Sequence, residues 1–307
     1  MKETAAARST SGIWNIMQGH PAETLMDITE FTAFVEGLDH PEAVACGPRG
    51  ELYASGEAGQ VYRVDLATGS VTQLGTTGGF ALGLCLDADY NVYACDLARH
   101  AVIRVTPSGE TSVYSDGAPN RKMVTPNYPV FDAKGNLYVS DSGSWNGNDG
   151  CLFLVRPGGE TVLLTDELSA FPNGMALHPD GSWLYVVVSQ LPGVVRCAIK
   201  PDGTLGEIET VVELPYHVPD GLAFDVQHNL YICCYTPDII YRLTPEGELA
   251  VLASDWQSVT FATPTNIAFC GEDRQTLVVG SLSRWHLAKG RMPVAGQPLH
   301  YPRIAAS

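Results

Sequence analysis

The sequence is poor in basic residues, with 18 Lys and Arg against 34 Asp and Glu among 307 residues and a formal charge of -16. Binding of nucleic acid or of an anionic membrane requires clustered positive side chains that meet phosphate groups. No apolar run approaches the roughly 20 residues that span a bilayer, and Met1 to Gly12 lacks the apolar stretch of a secretory signal. We therefore expect a small-molecule substrate, and neither nucleic acid nor membrane as a partner.

The chain also lacks the cysteine spacings that bind metals or exchange disulfides. None of its eight cysteines forms a C-x-x-C pair, and most lie in apolar, strand-like runs. Cys233 and Cys234 are adjacent, so their side chains should face opposite sides of one strand. Buried, reduced thiols are favoured over disulfides, and this cysteine usage predicts a cytoplasmic protein.

Two common catalytic signatures are missing as well. Ser142 and Ser189 follow predicted strands, but neither lies in the Gly-x-Ser-x-Gly turn of α/β serine hydrolases. No glycine-rich phosphate loop occurs between a strand and a helix, which argues against nucleotide cofactors. Any chemistry must therefore come from another set of side chains.

What the sequence does contain is a repeat of about 45 residues. A polar turn followed by an apolar-aromatic strand returns six times, and positions 52, 92, 137, 184, 230 and 277 are equivalent. Within each unit, hydrophobic residues alternate at the period of two that is typical of strands. Turns such as Thr244-Pro245-Glu246-Gly247 separate the strands. This pattern predicts an all-β fold, a six-bladed β-propeller with four-stranded antiparallel blades.

The repeat also predicts the domain boundaries. Residues 28–307 should form a single propeller domain, and residues 1–27 a leader that is partly disordered or folds as a short helix over Gly12 to Met26. Closing the ring removes exposed strand edges. The segment from Ile28 to Val35 is the best candidate for a closing outer strand, because its apolar residues could pair it with the weakly marked sixth unit.

Five units begin with a loop in which Pro lies close before a polar side chain. In a propeller these loops lie at one end of the central channel, so their polar side chains should converge there. The residues are Glu42, Asn127, Asn173, Asp220 and Asn266. Their oxygens suit one divalent cation, with calcium preferred over magnesium, manganese or zinc. Asn or Asp before Gly can alternatively serve only to make a turn, but the recurrence at one repeat position favours a metal.

Three of the motifs are distinctive, namely Phe171-Pro172-Asn173-Gly174-Met175-Ala176-Leu177, Pro219-Asp220-Gly221-Leu222-Ala223-Phe224-Asp225, and Pro126-Asn127 with the later Phe131-Asp132-Ala133-Lys134-Gly135-Asn136-Leu137-Tyr138. In these residues the chain resembles the SMP-30/gluconolactonase/luciferin-regenerating-enzyme family. The resemblance implies a six-bladed propeller whose channel holds a divalent cation on Glu42, Asn127, Asn173 and Asp220. It also implies hydrolysis of lactones, or of organophosphates in some members.

The predicted function is therefore metal-dependent hydrolysis of a lactone or related ester, in which Asp220 activates water or attacks the carbonyl directly. Tyr128 replaces an Asp that aldonolactonases of the family usually have, so we expect a substrate less polar than a sugar lactone. Predicted substrate contacts are Tyr128, Trp145, His217 and Asn266. The alternatives are surface packing for Tyr128 and Trp145, a solvated loop position for His217, and a structural cap for Asn266.

Two rival functions use the same frame. A strictosidine-synthase-like condensing enzyme would need no metal. A non-catalytic propeller would bind a small ligand, and the cation would then serve structure only.

Overall fold

Six four-stranded antiparallel sheets form the protein, as described by a computed structural model over residues 23–304. The six-bladed, all-β propeller predicted from the repeat is confirmed. Within residues 23–304 the helical structure is one 3-10 helix, Ile28–Glu30, and no helix there is long and apolar enough to cross a membrane. The leader helix predicted over Gly12 to Met26 lies almost entirely outside the described residues.

The strands follow one another along the chain, and in blades 1 to 5 each blade runs from the innermost strand at the channel to the outermost strand. Strand β1 (Phe31–Glu36) precedes the first blade. Blades 1 and 2 contain β2 (Val44–Cys46), β3 (Leu52–Ser55), β4 (Gln60–Val64) and β5 (Val71–Thr76), then β6 (Ala81–Leu86), β7 (Val92–Asp96), β8 (Ala101–Val105) and β9 (Thr111–Ser115).

A two-stranded ribbon, β10 (Gly117–Ala118) and β11 (Arg121–Lys122), separates blades 2 and 3. Blades 3 and 4 contain β12 (Pro126–Phe131), β13 (Leu137–Asp141), β14 (Cys151–Val155) and β15 (Thr161–Thr165), then β16 (Pro172–Leu177), β17 (Trp183–Val188), β18 (Gly193–Ile199) and β19 (Leu205–Glu213). Blades 5 and 6 contain β20 (Val218–Phe224), β21 (Leu230–Thr236), β22 (Ile239–Leu243) and β23 (Leu249–Ser254), then β24 (Pro264–Cys270), β25 (Thr276–Ser281) and β26 (His286–Arg291).

The sixth blade is completed by β1 from the other end of the chain. Strand β1 pairs antiparallel with β26, with Phe31 opposite Gly290 and Val35 opposite Leu287. This pairing confirms that the segment predicted from Ile28 to Val35 closes the ring, although its first residues form the 3-10 helix instead. Both ends of the chain therefore contribute to one sheet, which leaves no open gap between blades 1 and 6.

The polar turn that marks the repeat has a definite structural role. In blade 5, Asp225 accepts hydrogen bonds from the backbone and side-chain nitrogens of Asn229, at 2.9 and 2.7 Å. The same carboxylate accepts from the Tyr231 hydroxyl at 3.0 Å. Asp87 binds the corresponding Asn and Tyr of blade 2 in the same way. The recurring aromatic residue is thus the buried end of a hydrogen-bonded turn.

The hydrophobic core is divided among the seams between neighbouring blades. Each of six buried apolar clusters joins residues from two adjacent blades. Because successive strand residues face opposite sides, β21 contributes Cys233 to the seam with blade 6 and Cys234 to the seam with blade 4. This confirms the orientation predicted for the two cysteines. All eight cysteines are free thiols, and seven of them are buried.

The segment after β26 closes one end of the channel. It runs from blade 5, where the nitrogen of Gln297 donates to Phe224 O at 2.9 Å, to blade 1, where the Tyr301 hydroxyl donates to Cys46 O at 2.9 Å. Between this segment and the six inner strands lies an apolar cavity of about 90 Å³. The loops that carry the predicted metal ligands lie at the opposite end of the inner strands, so this segment lies across the far end of the channel.

Candidate metal centre

Four polar residues of the Pro loops lie at irregularities in the inner strands, namely Asn127, Asn173, Asp220 and Asn266. In blade 5, Pro219 pairs with Cys234 but Leu222 pairs with Ile232, so one extra residue lies on the inner strand. Inner strands β12, β16 and β24 show the same shift directly after their Pro. Such a bulge interrupts the alternation of the strand and redirects a side chain. The repeated bulge therefore explains how polar residues enter an otherwise apolar channel.

Hydrogen bonds through serine connect the loops of successive blades. The Asn127 amide nitrogen donates to Ser142 Oγ at 3.0 Å, and Ser142 donates to the carbonyl oxygen just before Asn173 at 2.7 Å. One blade further on, the Asn173 amide nitrogen lies 3.4 Å from Ser189 Oγ, which donates to the carbonyl oxygen just before Asp220 at 2.8 Å. Each serine thus orients one Asn and ties its blade to the next loop.

Glu42 and Asn266 continue the ring of loops across the closing seam. The Asn266 amide nitrogen lies 3.4 Å from both Glu42 Oε2 and the Glu42 carbonyl oxygen, which also accepts from the Thr265 hydroxyl. Strand register makes Thr265 the repeat equivalent of Asp220. Asn266 comes one residue later and is the repeat equivalent of Gly221. Asn266 therefore reaches the centre from a repeat position different from that of the other four residues.

Four side-chain oxygens at this centre are buried without a hydrogen-bond partner. Within residues 23–304, twelve buried polar side-chain atoms lack a partner, and four are the Oδ1 atoms of Asn127, Asn173, Asp220 and Asn266. A buried oxygen without a partner costs free energy, about 1–3 kcal/mol each. Because hard divalent cations bind carboxylate and amide oxygens, this set, together with the buried Glu42 carboxylate, fits such an ion.

The two carboxylates also disfavour each other's charge. Burial, and then the charge of Asp220, raise the pKa of Glu42 well above its ordinary value. Burial likewise raises the pKa of Asp220. A pair of buried carboxylates needs either a proton or a cation to offset the cost of desolvation. The raised pKa values of the two carboxylates therefore favour a bound cation, which is also the ligand that the unpartnered oxygens favour.

Two glycines allow the loops to approach one another. A Cβ atom on Gly174 would lie 2.2 Å from the Asp220 carbonyl oxygen, and one on Gly221 would lie 2.6 Å from the Thr265 carbonyl oxygen. Both contacts involve backbone atoms of the neighbouring blade, which cannot rotate away. The glycine that follows Asn173 and Asp220 in the sequence is therefore required by close packing.

Comparison with known proteins identifies the family. Residues 43–283 match the SMP-30/Gluconolactonase/LRE-like region. The chain belongs to this family. A gluconolactonase of Zymomonas mobilis is 27% identical over 220 residues, 65% of this chain and 60% of the relative, so the chain spans about three fifths of that protein's length.

Solved structures of other proteins share the fold. The gluconolactonase XC5397 of Xanthomonas campestris superposes with a TM-score of 0.73 at 20% identity, over 86% of this chain and 89% of that one. Regucalcin of Agrobacterium tumefaciens, described as a calcium-binding protein, superposes with a TM-score of 0.71 at 14% identity, over 92% of this chain and all of that one. These likenesses establish the architecture.

Tyr128, which follows Asn127 in this family member, lies in the channel. Its ring lines the central cavity, and its backbone nitrogen donates to Ser140 Oγ at 3.0 Å. Burial is the main cause that raises the pKa of Tyr128, and the charges of Glu42 and Asp220 add to it. A neutral phenol therefore lies within electrostatic reach of both carboxylates.

Trp145 and His217 lie outside the centre, in different surroundings. Trp145 is 62% exposed and packs edge-on against Phe171, two residues before Asn173, with ring centroids 4.8 Å apart. His217 is buried, between the Pro215 carbonyl at 2.9 Å and the Tyr241 hydroxyl at 2.9 Å. The solvated position considered for His217 is wrong, because both ring nitrogens already have partners within the protein.

The sequence motifs do not identify the serines that orient the amides. Ser142 and Ser189 lack a nucleophile motif, but both directly follow the second strand of their blade, and that shared position is the signal that marks them. Asp141 has a related role, since it accepts from the backbone nitrogens of Val124 and Thr125 at 2.6 and 2.8 Å. It thereby holds the loop that leads into Asn127.

Proposed function

We propose that this protein is a metal-dependent hydrolase of a lactone or related ester. The observation that carries the proposal is the group of unpartnered buried oxygens on Asn127, Asn173 and Asp220, next to the Glu42 carboxylate. These four residues would hold one divalent cation. Every donor is an oxygen, which suits calcium, magnesium and manganese, with zinc as a further alternative, and the calcium-binding structural neighbour favours calcium.

The comparisons support this proposal without extending to the substrate. The Zymomonas relative is named a gluconolactonase and the Agrobacterium structure a calcium-binding regucalcin. We carry over lactone hydrolysis and calcium to this chain as part of the proposal. The free thiols support the prediction of a cytoplasmic protein.

The residues of the centre suit ester hydrolysis. A bound cation would supply positive charge that polarises the carbonyl oxygen and stabilises the oxyanion as it develops. The Asp220 carboxylate accepts the proton of water as the water oxygen attacks the carbonyl carbon, and the departing alkoxide takes up that proton as the carbonyl–alkoxy bond breaks. If the carboxylate attacks the carbonyl carbon itself, the alkoxide leaves with a proton from water, and the remaining hydroxide cleaves the acyl–aspartate bond, which releases the acid and restores the carboxylate. Tyr128 and Asn266 line the position of the substrate.

Elemental analysis combined with a hydrolysis panel tests the proposal. The purified protein should contain about one equivalent of a divalent metal, and a chelator should remove both the metal and the hydrolysis of lactones, with recovery on readdition. Activity that survives chelation would favour a condensing enzyme. A metal-loaded protein inert toward lactones, aryl esters and organophosphates would favour a ligand-binding propeller.

A further inference from the structure

Two exposed tryptophans pack against the residues that lead into the metal centre. Trp145 contacts Phe171 with ring centroids 4.8 Å apart and an interplanar angle of 77°. Trp285 contacts His40 with ring centroids 5.5 Å apart and an interplanar angle of 54°. Phe171 lies two residues before Asn173, and His40 lies two residues before Glu42. The same relationship between an aromatic pair and a predicted ligand thus occurs twice.

The backbone at both contacts is strained in the same way. Phe171 has φ of 64° and His40 has φ of 43°, and each directly precedes a proline. A residue before proline normally adopts extended backbone, and a left-handed conformation of a bulky residue costs about 1–3 kcal/mol. Strain of this kind concentrates at ligand sites, where the fold holds a side chain in position. Here it sets the two rings against the tryptophans.

The two aromatic pairs lie on opposite sides of the channel mouth. Trp145 is in the β13–β14 connection of blade 3 and Phe171 leads into blade 4, whereas Trp285 is in the β25–β26 connection of blade 6 and His40 leads into blade 1. In a six-membered ring these two seams face each other. The tryptophans remain 62% and 56% exposed among the described residues, so each indole presents apolar surface at the mouth. His40 Nδ1 is held by the carboxylates of Asp39 and Glu57, at 3.3 and 3.0 Å, so the apolar surface of the second pair is that of Trp285.

We propose that the two aromatic pairs form opposing walls that bind an apolar substituent of the substrate, such as an alkyl chain or an aryl ring on a lactone or ester. This inference rests on the proposed function, which places the carbonyl group at the centre between the walls. The C-terminal segment closes the other end of the channel, so the substrate enters past these rings. The formal charge of -16 disfavours an anionic lipid surface as the occupant.

A series of γ-lactones with alkyl chains of increasing length tests the walls. For the wild-type protein, kcat/KM should rise about two- to fourfold per added methylene until the walls are covered. Trp145→Ala and Trp285→Ala should each flatten this dependence, measured as the ratio of kcat/KM for the longest lactone to kcat/KM for the unsubstituted lactone. Trp256→Ala is the matched control, because Trp256 is 86% exposed and has no aromatic contact within residues 23–304.

Binding of alkyl-substituted lactams, which resist hydrolysis, provides a readout that does not depend on turnover. Calorimetric affinity should rise with chain length in the wild-type protein and lose that dependence in the two wall variants. If affinity does not depend on chain length but turnover depends on metal, the proposal of two apolar walls is wrong and the proposed hydrolase function stands. If lactam affinity rises with chain length but no lactone is hydrolysed, the two walls are supported and the proposed hydrolase function is wrong.

Two further outcomes would also overturn the inference. An equal loss in Trp256→Ala would show that general surface hydrophobicity, and not the two pairs, determines chain-length preference. A wild-type dimer in sedimentation that dissociates in Trp145→Ala or Trp285→Ala would assign the walls to contact between two copies of the chain.

Discussion

The Asn127 amide nitrogen lies 3.0 Å from Ser142 Oγ, and this bond leaves the Asn127 oxygen free at the centre of the channel. Without the serine, the amide could rotate and present its nitrogen to a cation. We therefore expect Ser142→Ala to weaken cation affinity about 10–100-fold, as is typical for groups that orient metal ligands. Competition with a chelating dye measures this loss.

Ser112→Ala is the control for the serine variant, because Ser112 lies exposed on the outer strand β9. It should retain wild-type cation affinity. Unchanged affinity in Ser142→Ala, with the fold intact by circular dichroism, would contradict the orienting role.

Asp220→Asn tests the carboxylate that we assign to the chemistry. The variant keeps the shape of the side chain but cannot accept a proton from water, so kcat should fall about 10²–10⁴-fold. The fold should persist, because the neutral amide no longer carries the cost of a buried charge. Stopped-assay kinetics and thermal melts measure the two effects. Asp273→Asn, at an exposed ion pair with Arg291, should change neither quantity appreciably, and near-normal turnover in Asp220→Asn would discard its role.

Gly174→Ala should destabilise the protein and disturb the centre together. The added methyl group would meet the Asp220 carbonyl oxygen at 2.2 Å, so blades 4 and 5 must separate. We expect a loss of about 1–3 kcal/mol in the free energy of unfolding, together with weaker cation binding. Gly206→Ala is the matched control, since its Cβ would meet nothing closer than 3.5 Å. Equal stability of the two variants in denaturant titrations would refute the packing argument.

The buried His217 should contribute to the pH dependence of the free energy of unfolding. Burial lowers the pKa of His217 below its ordinary value of 6.5, against a smaller opposing effect of the Pro215 carbonyl. As pH falls below about 6.5, the unfolded chain takes up a proton that the folded protein resists, so the wild type loses stability. His217→Gln removes this term. Its stability deficit relative to wild type, from urea titrations, should be smaller at pH 5 than at pH 7.5, and a constant deficit would contradict the assignment.

The fold could be predicted because the sequence features that specify it are local and recur in every repeat. A strand period of two, the Asp-to-Asn turn and the spacing near 45 residues each recur, so one ambiguous unit is corrected by the others. The closing strand was predicted for the same reason, since a sixth blade without a fourth strand needs one from elsewhere. The polar residues of the Pro loops, which we propose as metal ligands, follow from the same repetition.

The parts that could not be predicted depend on contacts between distant segments. Asn266 reaches Glu42 from a shifted register, and nothing in its own loop distinguishes it from Thr265. His217 reads as a loop histidine, yet Tyr241 of the neighbouring strand buries it. The segment from Ala295 to Pro302 carries no strand pattern, because its hydrogen bonds go to several blades and not to one partner strand.

Ring closure by β1 has a consequence for synthesis on the ribosome. Phe31 is synthesised about 260 positions before its partner Gly290. During that interval β1 has no partner strand, and the first blade lacks its neighbour across the closing seam. The entropic cost of closing so long a loop grows only logarithmically with the number of residues in it. The time for which β1 has no partner strand grows in proportion to that number, because the ribosome adds residues one by one. The nascent chain should therefore keep an unpaired β1 edge until β26 has been synthesised.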